Sequence, residues 1–411
     1  MTEGTDNQVP SVRIPAELPE GVSQATIGVR GGLLRSGFEE TAEAIYPTSG
    51  YVYKSAAEAE KAFTGEIDRY VYSRYGNPTI SMFEERLRLI EGAPACFATA
   101  TGMAAVFTSL GALLSAGDRL VAARSLFGSC FVVCNEILPR WGVETVFVDG
   151  DDLGQWEEAL SKPTQAVFFE TPSNPMQSLV DIAAVTEMAH AAGAKVVLDN
   201  VFATPILQQS FPLDVDVVVY SGTKHIDGQG RVLGGAILGD KQYIDEPVQK
   251  LMRHTGPALS PFNAWVLLKG LETLAVRVQH STDSALRIAQ FLESHSAVSW
   301  VRYPFLESHP QYDLAKRQMT GGGTVVTFEL DAARDAGKQR AFEMLDKLRI
   351  IDISNNLGDS KSLITHPATT THRAMGPEGR AAIGLGDAVV RVSVGLEGTE
   401  DLIADLDQAL G

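Results

Sequence analysis

Apolar residues in this chain gather into short continuous runs separated by longer mixed stretches. Runs at 95–98, 119–123, 144–148, 165–169, 195–198 and 216–220 have the length and β-branched content of buried strands. Between most of them lie helix-length segments at 102–116, 125–140, 152–161 and 181–192. Continuous apolar strands alternating with helices predict an α/β fold with a doubly wound, mostly parallel sheet. Such sheets bind ligands beyond the carboxyl ends of their strands. Ahead of the first strand, Asn77-Pro78-Thr79 opens a helix. Asn77 can cap it, Pro78 suits the first turn, Phe83, Leu87 and Ile90 form its apolar stripe, and Gly92 ends it.

The pattern changes after Gly235. Residues 262–294 predict one or two long helices, Thr324 to Leu330 an alternating strand, 338–348 a helix and Val389 to Val394 another strand. That is an α+β layer. The expected division is an N-terminal arm over 1–76, a ligand-binding domain over 77–265 and a smaller C-terminal α+β domain over 266–411. The first twenty residues are polar and expected to be disordered. Residues 21–76 show no long periodic segment but hold Tyr46, Tyr51, Tyr53, Tyr70, Tyr72 and Tyr75. So much aromatic surface in an irregular arm predicts packing against another subunit.

Composition narrows the picture. With 411 residues, 45 % of them hydrophobic, the chain can bury a large core. A net charge of −17 opposes binding to nucleic acid or anionic membrane. Cys96, Cys130 and Cys134 have no disulfide-framework spacing, which suggests a reducing compartment, and no second Cys/His pair lies nearby to make a metal site. The N-terminus lacks the apolar core of a signal peptide and no run is long enough to span a bilayer, so a cytoplasmic protein is expected.

The chemistry centres on the stretch from Asp216 to Gly235. Val217 to Tyr220 form an apolar run, Ser221, Gly222 and Thr223 break it, and Lys224 follows. A lysine is ordinarily solvated. One at the end of a buried strand has a lowered pKa, and its free amine can act as nucleophile and base, joining covalently to an aldehyde cofactor such as pyridoxal 5′-phosphate. Asp199 ends the preceding apolar strand, where its carboxylate can hold a pyridine nitrogen protonated; by itself it could equally be a turn cap. Ala100-Thr101-Gly102-Met103 lies between a strand and a helix, so the N–H groups of Gly102 and Met103 can face a phosphate, with Ser221 and Thr223 adding hydroxyls.

Together these motifs resemble the Cys/Met-metabolism family of pyridoxal-phosphate enzymes, of the aspartate-aminotransferase-like fold (fold type I). The resemblance runs from about Gly21 to the C-terminus, through YSRYGNPT at 72–79, ATGMAA at 100–105, ETPSNP at 170–175, DNVFATP at 199–205, SGTKHIDGQG at 221–230, HPATTTH at 366–372 and RVSVGLE at 391–397. Each motif is weak alone; seven in the family's order are specific. LFGS at 126–129 and SNNLGD at 354–359 are similar to those of members that replace the acyl group of O-succinylhomoserine with sulfide, giving homocysteine. The resemblance leaves open an acetyl ester as donor, cysteine as acceptor, or γ-elimination.

Further roles are implied by the resemblance alone. Tyr72 and Arg74 match a pair that reaches the neighbouring subunit's cofactor phosphate, Tyr72 also lying near the substrate; a homotetramer of two such dimers is implied. Asn174 matches a residue near the cofactor's phenolic oxygen, and Arg391 the clamp on the substrate α-carboxylate. Two positions depart from the usual pattern. Phe127 stands where tyrosine is usual; it can stack on the ring but exchanges no proton, leaving acid–base work to Lys224 or Tyr72. Asn356 stands where many members have serine beside the carboxylate. Arg124 is a candidate for the donor's second carboxylate, with a surface role as its rival.

Other classes fit less well. The G-x-G-x-x-G fingerprint of dinucleotide enzymes and the G-x-S-x-G and H-E-x-x-H signatures of hydrolases do not occur. An inactive interaction protein on the same fold would be expected to lose Lys224, Asp199 or Arg391, and all three are present.

Overall fold

A computed structural model of the chain describes residues 18–333 and 336–411. The stretch expected to be disordered falls, for residues 1–17, outside the described residues. A seven-stranded sheet is built from β1 (Ala95–Thr99), β2 (Arg119–Ala123), β3 (Glu144–Val148), β4 (Ala166–Glu170), β5 (Lys195–Asp199), β6 (Val217–Ser221) and β7 (Gly235–Gly239), in the order β1-β7-β6-β5-β4-β2-β3. Strand β7 is antiparallel to both neighbours; the other pairings are parallel. The mostly parallel sheet expected from the pattern is therefore present. The central apolar runs are strands because they are buried on both faces, while β1 and β3 at the sheet edges are only partly buried. Val121, Val167, Val196, Leu198 and Val218 belong to one core, while Leu120, Ala122, Phe168, Val197 and Val219 belong to the core on the opposite side.

A second, five-stranded sheet contains β8 (Val298–Arg302), β9 (Val325–Leu330), β10 (Asp352–Ile353), β11 (Leu363–Thr365) and β12 (Val389–Ser393), ordered β10-β11-β12-β9-β8. It has its own core, in which Phe328, Val390 and Val392 pack against Ile288 and Leu292 of the helix Leu274–Ser294. The long helical segment after Phe262 is two helices, Pro261–Leu271 and Leu274–Ser294.

Several segments depart from the sequence pattern. The arm holds two short helices, α1 (Gln24–Arg30) and α2 (Ala56–Thr64), capped by the Ser23 and Ser55 side chains. After α3 (Pro78–Glu91), the next helix, α4 (Gly102–Leu113), stops before Ala116. The segment 125–140 is α-helical only over Gly128–Val132, widens into a π-helical turn at Val133–Ile137, and ends in a 3₁₀ turn beginning at Pro139. Strand β7 was missed because five residues bounded by glycines give no periodicity. On the arm, Phe38 (95 % exposed), Val52 (91 %) and Phe63 (65 %) put apolar surface into solvent. Among the described residues no helix is long and apolar enough to cross a membrane.

Candidate active site

The carboxyl ends of β4, β5 and β6 meet the N-terminus of α4 around a cavity of about 240 Å³. Lys224 lies in the turn just after β6, with its side chain in this cavity. Burial is the larger cause that lowers its pKa, to about 8; the Arg391 charge adds to it and Asp199 opposes it. The amine donates to Asn356 Oδ1 at 2.6 Å. The turn is held from behind by Arg277, which donates to the carbonyls of His225 (2.7 Å), Ile226 (3.4 Å) and Gly270 (2.8 Å).

Asp199 ends β5 and lines the same cavity. One oxygen accepts from Val201 N–H at 3.1 Å. Burial raises its pKa, against the pull of that hydrogen bond and of Lys224. The anion cradle is at the start of α4. Thr101 caps the helix by accepting from Ala104 N–H, and among the described residues the Gly102 and Met103 N–H groups have no protein acceptor. A side chain at Gly102 would put its Cβ 2.6 Å from Ser221 Cβ and 2.9 Å from Ser221 Cα. Glycine is therefore required for the helix start to approach the end of β6. Among the described residues the Thr223 hydroxyl makes only long contacts, to Gly234 N–H at 3.3 Å and Gly234 C=O at 3.4 Å.

Arg391 comes from β12, across the cleft, and is 1 % exposed. Its guanidinium donates to Asn174 Oδ1 (3.0 Å) and to the carbonyls of Asn355 (3.0 Å) and Asn356 (3.2 Å). Its Nε is buried without a partner, and among the described residues no carboxylate pairs with it. Burial lowers its pKa to about 10. A buried cation whose partners are all neutral is arranged for an anion that arrives from outside. Phe127 forms part of the cavity wall, positioned as the N-cap residue of the short helix Gly128–Val132.

The cavity thus collects Lys224, Asp199, Gly102, Met103, Phe127, Asn174, Ser221, Thr223 and Arg391, with Asn356 hydrogen-bonded to both Lys224 and Arg391. Tyr72 and Arg74 are not brought to it within one chain. Arg74 stacks over Tyr72 and Tyr75, each at 5.2 Å, and donates to the Arg253 carbonyl, while Tyr72 is 40 % exposed. Of the two roles open to Arg124 the structure favours the surface one: it pairs with Asp149 at 3.0 Å and does not line the cavity. Two buried polar side chains of the cavity escaped the sequence reading. Glu170 lines the cavity from the end of β4, and its place as the first residue of ETPSNP was the available signal. Tyr220 also lines it, tied to Asn200 at 2.7 Å and to Glu91, partners that lie far apart in sequence. Among the described residues no cluster of three or more His, Cys, Asp or Glu is placed to hold a metal.

Comparison with known proteins agrees with this geometry. The chain belongs to the Cys/Met metabolism PLP-dependent enzyme family, whose profile matches residues 25–411. It is 84 % identical over 400 residues to the O-succinylhomoserine sulfhydrylase of Mycobacterium tuberculosis, covering 97 % of this chain and 98 % of that one. It is 46 % identical to the O-succinylhomoserine sulfhydrylase of Pseudomonas aeruginosa, covering 97 % of each. A solved Campylobacter jejuni structure carrying N′-pyridoxyl-lysine-5′-monophosphate superposes with a TM-score of 0.90 at 32 % identity, covering 95 % of this chain and 100 % of that one. The fold is therefore PLP fold type I and the enzyme is PLP-dependent. The cavity fits that cofactor: the Gly102 cradle for a phosphate, an amine of lowered pKa, and a buried carboxylate at a strand end.

Proposed function

We propose that the chain is a cytoplasmic transferase that replaces the succinyl group of O-succinylhomoserine with sulfide, giving homocysteine and succinate for methionine biosynthesis. The single observation that carries the chemistry is Lys224, a half-buried amine of lowered pKa in one cavity with Asp199 and the uncompensated Arg391. The 84 % identity to the M. tuberculosis sulfhydrylase supports the choice of substrates.

Bound pyridoxal 5′-phosphate supplies the electron sink that carbon-acid chemistry at Cα and Cβ requires. Gly102, Met103, Ser221 and Thr223 would hold its phosphate, Phe127 would stack on its ring, Asn174 would face its phenolic oxygen, and Asp199 would keep a proton on its ring nitrogen. Arg391 binds the α-carboxylate of the ester and so fixes the direction of the Cα–H bond. Asn356 orients Lys224 beside that clamp. Lys224, as the neutral amine, takes the proton from Cα. A second proton then leaves Cβ, the Cγ–O bond breaks and succinate leaves. Sulfide forms the new Cγ–S bond, and protons return to Cβ and to Cα, the latter from Lys224.

Sulfide suits the cavity better than cysteine does. The cations on its walls are Lys224 and Arg391, and both are committed to cofactor and donor. Cysteine would bring a carboxylate and an ammonium that need further partners, since burying unpaired charge is costly.

The proposal extends to assembly. Residues 1–76 serve as the inter-subunit arm, 77–265 hold the cofactor and 266–411 close the substrate side. Tyr72 and Arg74 complete the neighbouring subunit's site, at its phosphate and near its substrate, within a homotetramer of two such dimers. Their placement away from this chain's own cavity, on an arm with exposed Phe38 and Val52, supports this.

The test is a direct competition, with O-succinylhomoserine as donor and equal sulfide and cysteine as acceptors. Homocysteine is the expected main product. Predominant cystathionine, or reaction of the acetyl ester alone, contradicts the assignment.

A further inference from the structure

Glu170 is a buried carboxylate to which the proposed chemistry gives no task. It ends β4, directly in register with Asp199 at the end of β5. Side chains in register on neighbouring parallel strands point to the same face, so both carboxyl groups enter the cavity together. Burial and the nearby Asp199 charge both raise the pKa of Glu170, and two hydrogen bonds oppose them. Burying a second carboxyl beside Asp199 is unfavourable, and the bonds made by its two oxygens give the reason for its presence.

Oε2 accepts from the N–H of Phe127 at 3.0 Å. Oε1 accepts from the N–H of Asn174 at 2.7 Å. Phe127 is the aromatic wall of the cavity and has no side-chain cap of its own. The Asn174 side chain accepts from Arg391 at 3.0 Å, and its carbonyl accepts from His372 Nε2 at 3.0 Å. One carboxyl therefore joins the wall beside the ring to the partner of the carboxylate clamp. Those two segments come from separate stretches of chain, and each depends on a single acceptor to satisfy its buried N–H.

We propose that Glu170 is a positioning residue that sets the ring stacker Phe127 with one oxygen and, through Asn174, the Arg391 clamp with the other. This rests on the assignment of pyridoxal 5′-phosphate and an amino-acid ester to the cavity. Asparagine could not replace Glu170, because its stem is shorter, and glutamine keeps one acceptor while turning an NH₂ donor toward the other N–H.

The test uses holoenzyme carrying Glu170→Gln, Asn174→Ala or both, with Glu170→Asp as a second variant that keeps the charge on a shorter stem. Three readouts are taken: the visible circular dichroism band of the bound cofactor, the dissociation constant for pyridoxal 5′-phosphate added to apoprotein, and KM against kcat for the ester that the wild type accepts. Glu170→Gln is expected to change the dichroism band, weaken cofactor binding and raise KM about tenfold, the ordinary cost of leaving a buried hydrogen bond unmade. Asn174→Ala should raise KM through the loss of the Arg391 contact, and because Asn174 also faces the cofactor its own dichroism change is recorded as the reference for the Glu170 variants. In the double variant the KM effects should be less than additive, because both act through Arg391. Unchanged dichroism and KM in Glu170→Gln, additive KM effects, or failure of both Glu170 variants to fold would overturn the proposal. Wild-type protein that binds no pyridoxal 5′-phosphate would instead contradict the functional assignment beneath it.

Discussion

At the scale of single residues, the site works by placing charges where water cannot neutralise them. Lys224 illustrates this. In water a lysine is protonated up to about pH 10.4 and could not act as a base near neutrality. Burial lowers its pKa to about 8, and Arg391 pushes in the same direction. Only the neutral amine attacks the cofactor aldehyde, and its fraction rises with pH. The rate at which apoprotein takes up pyridoxal 5′-phosphate should therefore rise through pH 8 and level off above it. A plateau reached only above pH 10 would show an ordinary lysine. Lys224→Ala removes a side chain from a turn, so the protein should fold with a nearly unchanged unfolding midpoint. It should lose turnover by roughly 10³-fold or more, since the base and the covalent anchor vanish together. Arg391 makes a different prediction. Arg391→Lys keeps a charge but loses the planar fork, so KM for the ester should rise at least about tenfold in steady-state assays.

At the scale of elements, the cavity is made by the meeting of strand ends with one helix start. Gly102 is the contact between them. In Gly102→Ala the added Cβ meets the backbone and side chain of Ser221, which cannot swing aside. Helix α4 must retreat from β6, and its free N–H groups retreat with it. Cofactor affinity should drop by about tenfold or more by titration of apoprotein, with a lowered unfolding midpoint. Behind the lysine turn, Arg277→Ala would leave the His225 and Ile226 carbonyls without their donor, while Gly270 keeps the Thr273 N–H. A loss of about 3 kcal/mol in denaturant unfolding is expected from unsatisfied buried acceptors. The legibility of the sequence follows the same physics. Strands such as Lys195–Asp199 were readable because burial on both faces demands continuous apolar runs, and the residues at their ends, Asp199 and Lys224, were readable by position. Segment 125–140 was not, since a π-helical turn preserves the apolar spacing of a helix while changing its hydrogen bonds. Glu170 escaped for another reason: Asn174 lies four residues on within ETPSNP, but the partner that gives the carboxylate its second task, Phe127, is set by tertiary contact, which no local pattern encodes. Arg124 stayed undecided in the sequence because charge near the LFGS motif says nothing about its direction; in the fold Asp149 claims it.

At the scale of the whole molecule, the proposed cradle, base, ring partner and clamp all come from one chain, while Tyr72 and Arg74 do not line its cavity. If they act in the neighbour's site, inactive Arg74→Ala subunits mixed and reassembled with inactive Lys224→Ala subunits should regain activity, because a hybrid dimer contains one site with both residues intact. A fully active monomer, or mixtures that stay inactive, would place the arm outside the chemistry.

The central claim is that Lys224 is the cofactor's anchor. Purified holoenzyme can be reduced with borohydride and its peptides mapped, so that every lysine in the chain competes for the label. The account predicts a visible absorbance band before reduction and a pyridoxyl group on Lys224 after it. A stoichiometric pyridoxyl group on any other lysine, with Lys224 unlabelled, would contradict it.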